Sequence, residues 1–411
     1  MRSSSPAPSV VIFGSARPVT CAVMDYAYRL ADAINALRPG FVAVRTIEPE
    51  QPFAFIAAIA EELRRDRIVH LQLPIEGWGN KILPGSALMA ARLMTRKGRI
   101  AITLHEWTSL NRLRHLSMVP DILACDGFIF VSPQQRESFQ TTLLVGKAKK
   151  QAAPVIPIGP NIMPARIDPK RVAAERAKLR GTGAGEADIV IGFFGVLYAS
   201  KRPDVLLRTT QALHKRGVKA RLLICGDFLW DKPKDREAFL ALAHDLGVAD
   251  WLDFRGRIDD EGALMATLSA ADVFLLPFTD GISTRRGSFL AVSQLAIPLV
   301  STEAERPDEF ALAPALKAKI DNPSTVLCPV DATPDRFAEA VLVAQAGKAK
   351  AIGVDLARLW DNAALAHLDF YAHLQSPAPT NTVAQETRSE DSRAELLIER
   401  QNASRVEATS Q

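Results

Sequence analysis

Val273-Phe274-Leu275-Leu276-Pro277-Phe278-Thr279-Asp280-Gly281-Ile282-Ser283-Thr284-Arg285-Arg286-Gly287-Ser288 is the stretch from which the fold can be read. An apolar run of strand length ends at a proline, passes through a glycine-punctuated loop and enters a helical pattern from 289 to 295. A second apolar run, Ile297-Pro298-Leu299-Val300-Ser301, follows at once. Strand, helix and strand at this spacing predict a parallel sheet covered on both faces. The first helical turn is expected to carry Arg285, Arg286 and Ser288. Free amides at a helix start and two guanidinium groups make a site for a diphosphate, with Asp280, Gly281, Ser283 and Gly287 completing the loop.

The same alternation extends in both directions. Strands are expected at 10–13, 41–47, 68–73, 100–104, 127–131 and 155–158. After the polar loop Arg180-Gly181-Thr182-Gly183-Ala184-Gly185-Glu186 a second series is expected at 189–194, 220–225, 252–254, 273–277 and 297–301. Two α/β halves of this kind place ligands at the carboxyl ends of their strands. The expected boundaries are a flexible start (1–9), a first domain (10–180), a second domain (186–350), a closing helix (351–375) and a disordered tail (376–411). The tail, rich in Ser, Pro, Glu, Arg and Gln, lacks the apolar residues needed to offset its ordering entropy.

Composition agrees with two cores. The 411 residues are 48% hydrophobic and 23% charged, the balance of a globular protein with more chain than one core usually holds. A net charge of +4, with basic residues grouped as Arg64-Arg65-Asp66-Arg67, Arg96-Lys97-Gly98-Arg99 and Lys147-Ala148-Lys149-Lys150, suits anionic small molecules or an anionic membrane surface. No pattern for nucleic-acid recognition is present, and no nucleic acid is expected as a partner. Cys21, Cys125, Cys225 and Cys328 are far apart and form neither a zinc motif nor a disulfide framework. The chain shows no signal-peptide core and no run near the ~20 apolar residues of a membrane span. A cytoplasmic location with possible peripheral membrane contact is the expectation.

Further candidates lie at strand ends. Gly195 leaves the first strand of the second half, where it either makes a tight turn or lets a ligand approach. Lys201 follows, just before Pro203 opens a helix, and is either solvated or paired with the same phosphates as the arginine loop. In the first half, His105 and Glu106 end the 100–104 strand. His105 is either an internal hydrogen-bonding residue or a contact to sugar or acceptor. Gly14 and Ser15 after the first strand leave room for an acceptor or phosphate, but without GxGxxG no nicotinamide cofactor is expected. Trp78 either stacks on a ligand or packs.

Gly195-Val196-Leu197 with Lys201, Leu222-Leu223-Ile224-Cys225-Gly226-Asp227, Leu252-Asp253-Phe254-Arg255-Gly256-Arg257, Ala270-Ala271-Asp272-Val273-Phe274-Leu275-Leu276-Pro277 and Ala296-Ile297-Pro298-Leu299-Val300-Ser301 together resemble the donor half of bacterial family 4 glycosyltransferases of GT-B fold. Ile102-Thr103-Leu104-His105-Glu106 and Ile156-Pro157-Ile158-Gly159-Pro160-Asn161-Ile162 resemble the acceptor half. The resemblance implies two Rossmann-like domains with parallel sheets facing a cleft. It further implies transfer of a sugar from a nucleotide-sugar donor to a saccharide or lipid-linked acceptor, in surface polysaccharide biosynthesis. The donor is a substrate, so no cofactor is implied. The family is retaining, and Lys201 and Arg286, with Arg285, would stabilise the departing diphosphate without a metal. His105 becomes a catalytic candidate, and Gly14, Ser15 and Glu106 acceptor-side ones. Two features depart from the family pattern: Ser283 and Ala291 occupy the places of its two glutamates, and Val196 that of an arginine. Two alternatives follow: a nucleotide-sugar epimerase of the same fold, or a non-catalytic donor-binding or scaffolding subunit.

Overall fold

The computed structural model describes residues 7–17, 22–74, 78, 82–108, 110–142, 153–162, 167–181, 185–228 and 232–376. Cys21, the basic group 147–150 and the tail 377–411 lie outside them, as do 182–184 of the polar loop and the neighbours of Trp78. The chain forms two compact units. One is Pro157–Leu359; the other takes the described residues up to Ile156 and those from Trp360 onward.

The first unit is a five-stranded sheet of β1 (Val10–Ser15), β2 (Val42–Ile47), β3 (Ile68–Leu73), β4 (Arg99–Leu104) and β5 (Gly127–Phe130). Their order is β2-β1-β3-β4-β5 and every pairing is parallel. The strands are near-continuous apolar runs because helices cover both faces, and Phe13, Leu71, Ile102, Phe128 and Phe130 are fully buried. Trp78 packs rather than facing a ligand, stacked on Phe55 with ring centroids 4.6 Å apart.

The second unit is a six-stranded parallel sheet. Its strands are β6 (Ile189–Phe194), β7 (Ala220–Cys225), β8 (Leu252–Gly256), β9 (Val273–Leu276), β10 (Leu299–Thr302) and β11 (Thr325–Cys328), in the order β11-β10-β9-β6-β7-β8. Chain order reverses between β6 and β9, which pair at Ile191 with Val273 and Gly192 with Phe274. A side chain at Gly192 would meet the Phe274 ring at 2.7 Å, so glycine permits this central pairing.

Several expectations are corrected. Residues 155–158 form no strand; Val155 makes a single bridge to Phe130, since Pro154 and Pro157 cannot donate to a ladder. β1 continues through Gly14 and Ser15, which pair with Thr46 and Ile47, so these two are strand residues rather than loop. β9 stops before Pro277, and β10 starts after Pro298 for the same lack of an N–H. The edge strand β11 was not anticipated, being a four-residue run close to prolines. The last helix, Ala357–Gln375, returns to the first unit, where Arg99 Nε donates to the Leu374 carbonyl at 2.9 Å. A side chain at Gly127 would strike Leu374 and Phe370 of that helix at 2.8 and 2.9 Å.

Candidate functional site

In a parallel α/β sheet, ligands bind beyond the carboxyl ends of the strands where the strand order reverses. In the second unit that point lies at the ends of β6 and β9, and the loops leaving both are tied together. Thr279, after β9, donates its amide to the Ser200 carbonyl at 3.0 Å, in the short turn Ala199–Lys201 that follows β6. Gly195 sits between them with φ +120°, which disfavours any side chain. A Cβ there would lie 2.6 Å from Lys201 Nζ and 3.3 Å from Ser288 Cβ. Gly226, at the end of β7, presses on the Gly195 carbonyl so closely that its own Cβ would lie 2.1 Å from that oxygen. Two glycines back to back thus let Lys201 fold in against the strand ends.

Lys201 is buried, only 7% exposed, and Nζ donates to Ser288 Oγ at 3.3 Å. It stands over the Tyr198 and Phe193 rings, 5.4 and 5.9 Å from their centroids. Among the described residues no carboxylate lies within ion-pair distance of it. Burial, and then the neighbouring charge of Arg286, bring its ammonium down to about 7. A buried cation beside a second cation is costly unless an anion joins them.

The loop after β9 differs from expectation in one respect. The helix spans Gly287–Ser293, with Arg286 as its N-cap residue and Arg285 in the preceding turn, which the Arg286 amide closes onto the Ser283 carbonyl at 3.1 Å. Both arginines therefore precede the helix; only Ser288 falls in its first turn. The Arg286 guanidinium bonds to the Asp280 carboxylate and lies 4.7 Å above the Phe278 ring. Arg285 is half-buried. Gly287 is exposed, with open space where a side chain would stand. Gly281, at φ +77°, packs so tightly that a Cβ would lie 2.1 Å from the Glu303 carbonyl. Ser283 is buried and its hydroxyl has no hydrogen-bond partner, while Ala291 is buried on the helix.

Glu309 escaped the sequence reading. It is buried, and Oε1 accepts from both the amide and the hydroxyl of Thr284 at 2.8 Å. Twenty-five residues separate the partners. No local pattern marks a contact of that span.

The first-unit candidates lie on their own strand ends. His105 is nearly buried, and its Nε2 lies 2.8 Å from the Gln72 amide oxygen. Glu106 is exposed. Ser15 is buried, and its hydroxyl accepts from the Arg17 amide at 3.2 Å. A Cβ on Gly14 would meet the Met24 thioether at 2.4 Å, so Gly14 makes room for a core side chain.

Comparison with known proteins places this geometry. Residues 188–344, which hold all of β6 to β11, match the family model for glycosyl transferases group 1. No curated protein matches the chain by sequence. Among solved structures, a glycosyltransferase from Rickettsia africae aligns with TM-score 0.62 and 13% identity over 90% of this chain and all of its own. Sucrose-phosphate synthase from Thermosynechococcus elongatus gives 0.60 and 17% over 90% of this chain and 99% of its own. Anabaena HepE in complex with UDP and glucose gives 0.58 and 13% over 90% and 97%. At such identities the likeness speaks for the fold. That fold is GT-B, and the match to the group 1 glycosyltransferase model falls within its second unit.

Proposed function

We propose that this protein transfers a sugar from a nucleotide-sugar donor to a saccharide or lipid-linked acceptor, as a retaining, metal-independent enzyme of family 4 type in surface polysaccharide biosynthesis. The observation that carries the reading is Lys201: a buried ammonium with no carboxylate partner among the described residues, beside Arg286 and Ser288 where strand order reverses. In glycosyl transfer, negative charge builds on the departing diphosphate as the anomeric bond breaks. Preorganised cations aimed at that charge lower the barrier more than they stabilise the ground state. Lys201 and Arg286 are assigned that role, Arg285 and the amides beginning at Gly287 assist, and Ser288 orients Lys201. The nucleotide sugar is substrate, and no cofactor enters. The crystallised complex of HepE with UDP and glucose supports a donor of this kind.

The lipid-linked acceptor and contact with an anionic membrane at the inner face of the cell membrane draw support from the first unit. The short helix Arg112–Ser117 buries none of its residues. Leu113 and Leu116, three apart and so on one face, are 79% and 57% exposed, and the flanking charges are Arg112 and Arg114. No helix among the described residues is long and apolar enough to cross a membrane.

Calorimetry with UDP in excess chelator tests the core of the proposal. The expected result is binding without metal and weaker binding of UMP, since each charge-assisted hydrogen bond lost costs roughly 1.5–3 kcal/mol. Binding that appears only with magnesium or manganese rejects the metal-free assignment.

A further inference from the structure

The loop that carries the two arginines is held from outside, by the segment that follows β10. Thr302 Oγ1 donates to the Phe278 carbonyl at 2.8 Å, the Ile282 amide donates to the Thr302 carbonyl at 3.1 Å, and Gly281 lies against the Glu303 carbonyl. These contacts pin the loop as far as Ile282. Beyond it the same segment returns at Glu309, whose Oε1 accepts from the amide and the hydroxyl of Thr284, both at 2.8 Å.

The place of Glu309 is itself fixed. The residue is only 6% exposed, and its amide donates to the Arg306 carbonyl at 3.3 Å. The next residue, Phe310, is also buried and packs edge-on against Phe289 of the Gly287–Ser293 helix, with ring centroids 5.8 Å apart. The carboxylate thus belongs to the same packed body as the helix that begins where the arginine turn ends.

Its contact acts on one peptide group. The Ser283 carbonyl and the Thr284 amide are parts of a single planar unit, so Glu309 holds the N–H of that unit while the Arg286 amide, at 3.1 Å, holds its C=O. A peptide held at both ends cannot swing about its flanking torsions, and that swing is what would re-aim Arg285 and Arg286. The hydroxyl bond adds the side chain: a β-branched threonine has few χ1 wells, and one oxygen that meets both its amide and its hydroxyl selects among them. Burying a carboxylate costs free energy that an apolar side chain would not. Its distinctive effect here is a fixed turn, made by hydrogen bonds of the stronger kind.

We propose that Glu309 is the positioning residue of the phosphate clamp: through Thr284 it sets the turn that aims Arg285 and Arg286, so the guanidinium groups meet the diphosphate with little ordering still to come. This deepens, and rests on, the reading of that turn as the diphosphate site. Glu309 acts through Thr284, without contact to the ligand.

Glu309→Ala and Thr284→Val test this in the full chain by two readouts: calorimetry with UDP and with UMP in excess chelator, and amide hydrogen exchange over residues 283–286 without ligand. In Glu309→Ala, exchange in that segment should rise roughly tenfold relative to the β6 amides, and UDP should bind roughly tenfold more weakly while UMP changes by less than about threefold. Thr284→Val keeps the amide and removes the hydroxyl, so it should move both readouts the same way by less; it carries the test should Glu309→Ala fail to fold. A purely structural Glu309 would lower the melting temperature and leave the preference for UDP over UMP as it was, and that outcome overturns the proposal. Exchange that neither variant changes overturns it too. An unsubstituted protein that does not prefer UDP to UMP, with exchange rising in Glu309→Ala, supports the hold of Glu309 on the turn and rejects the diphosphate reading instead.

Discussion

One buried polar network in the first unit and one buried cation in the second treat polarity in opposite ways. In the first, His70, Gln72, Thr103 and Tyr371 are buried as neutral groups that satisfy one another in series. In the second, the apolar sheet ends in a buried cation, Lys201, held by a hydroxyl and two aromatic rings, with Arg286 beside it and bonded to Asp280. A satisfied neutral network fixes geometry and asks for no ligand. An uncompensated charge creates an electrostatic demand that an incoming anion meets. On the proposed reading, the strand ends of the second unit receive negative charge, whereas the first unit's network asks for none.

The largest expected effect breaks the second half of that contrast. Lys201→Ala should lower turnover by about 10² or more, since one group stabilising transition-state charge is typically worth ~3 kcal/mol. The melting temperature should not fall, because the substitution removes an uncompensated buried charge. Arg286→Ala should cost somewhat less, its charge being shared with Asp280 already. Steady-state kinetics of the purified variants measures both, and near-normal turnover in each would sink the phosphate-clamp assignment.

Gly195→Ala comes next. At φ +120° and with Nζ of Lys201 2.6 Å from the new Cβ, the backbone strain alone costs roughly 1–3 kcal/mol, and the lysine must leave its place. UDP affinity should drop in calorimetry along with thermal stability. Unchanged affinity would show that Lys201 reaches the phosphates from elsewhere.

A third effect depends on pH. The folded-state value for Lys201, about 7, lies below its unfolded value near 10.5, so between those limits the unfolded chain binds more protons. Its contribution is fully favourable above about 10.5 and is lost as pH falls toward 7. The melting temperature of Lys201→Met relative to the unsubstituted protein should therefore be higher at pH 7 than at pH 10. A bound diphosphate should restore the charged lysine, so calorimetry at pH 8 in two buffers of different ionisation enthalpy should register proton uptake. No uptake would mean that the anion does not reach Nζ.

The smallest effect sharpens the first unit's side. Burial brings His367 down to about 4, from an ordinary value near 6.5. The unfolded chain binds the extra proton below 6.5, so this contribution is present above 6.5 and lost as pH falls through about 4. His367→Leu, which also removes a buried ring nitrogen lacking a partner, should change stability at pH 7 by no more than about 1 kcal/mol and flatten the acid limb of the melting profile. UDP binding should be untouched, and a change there would contradict a purely internal role.

Local pattern was enough for most of the architecture. The apolar runs at 189–194 and 220–225 became β6 and β7 with the same limits, because a strand buried on both faces must be apolar throughout and glycine or proline must end it. The placement of Gly195, Lys201, Arg286 and Ser288 in the loops beyond the strand ends was also legible, since each stands beside a turn signal. Pairings across the chain were not legible. Glu309 on Thr284, Asp280 claiming Arg286, Gly226 pressed on Gly195, and Tyr371 reaching His70 are side-chain or backbone contacts made between residues whose spacing follows no secondary-structure period. The sequence by itself determined two parallel α/β units and a cationic loop at the strand ends, because hydrophobic periodicity and turn chemistry act over a few residues. Only the tertiary structure decided that Lys201 is buried with no counter-charge among the described residues and that His105 meets Gln72, because burial and hydrogen-bond partners depend on which distant segments meet.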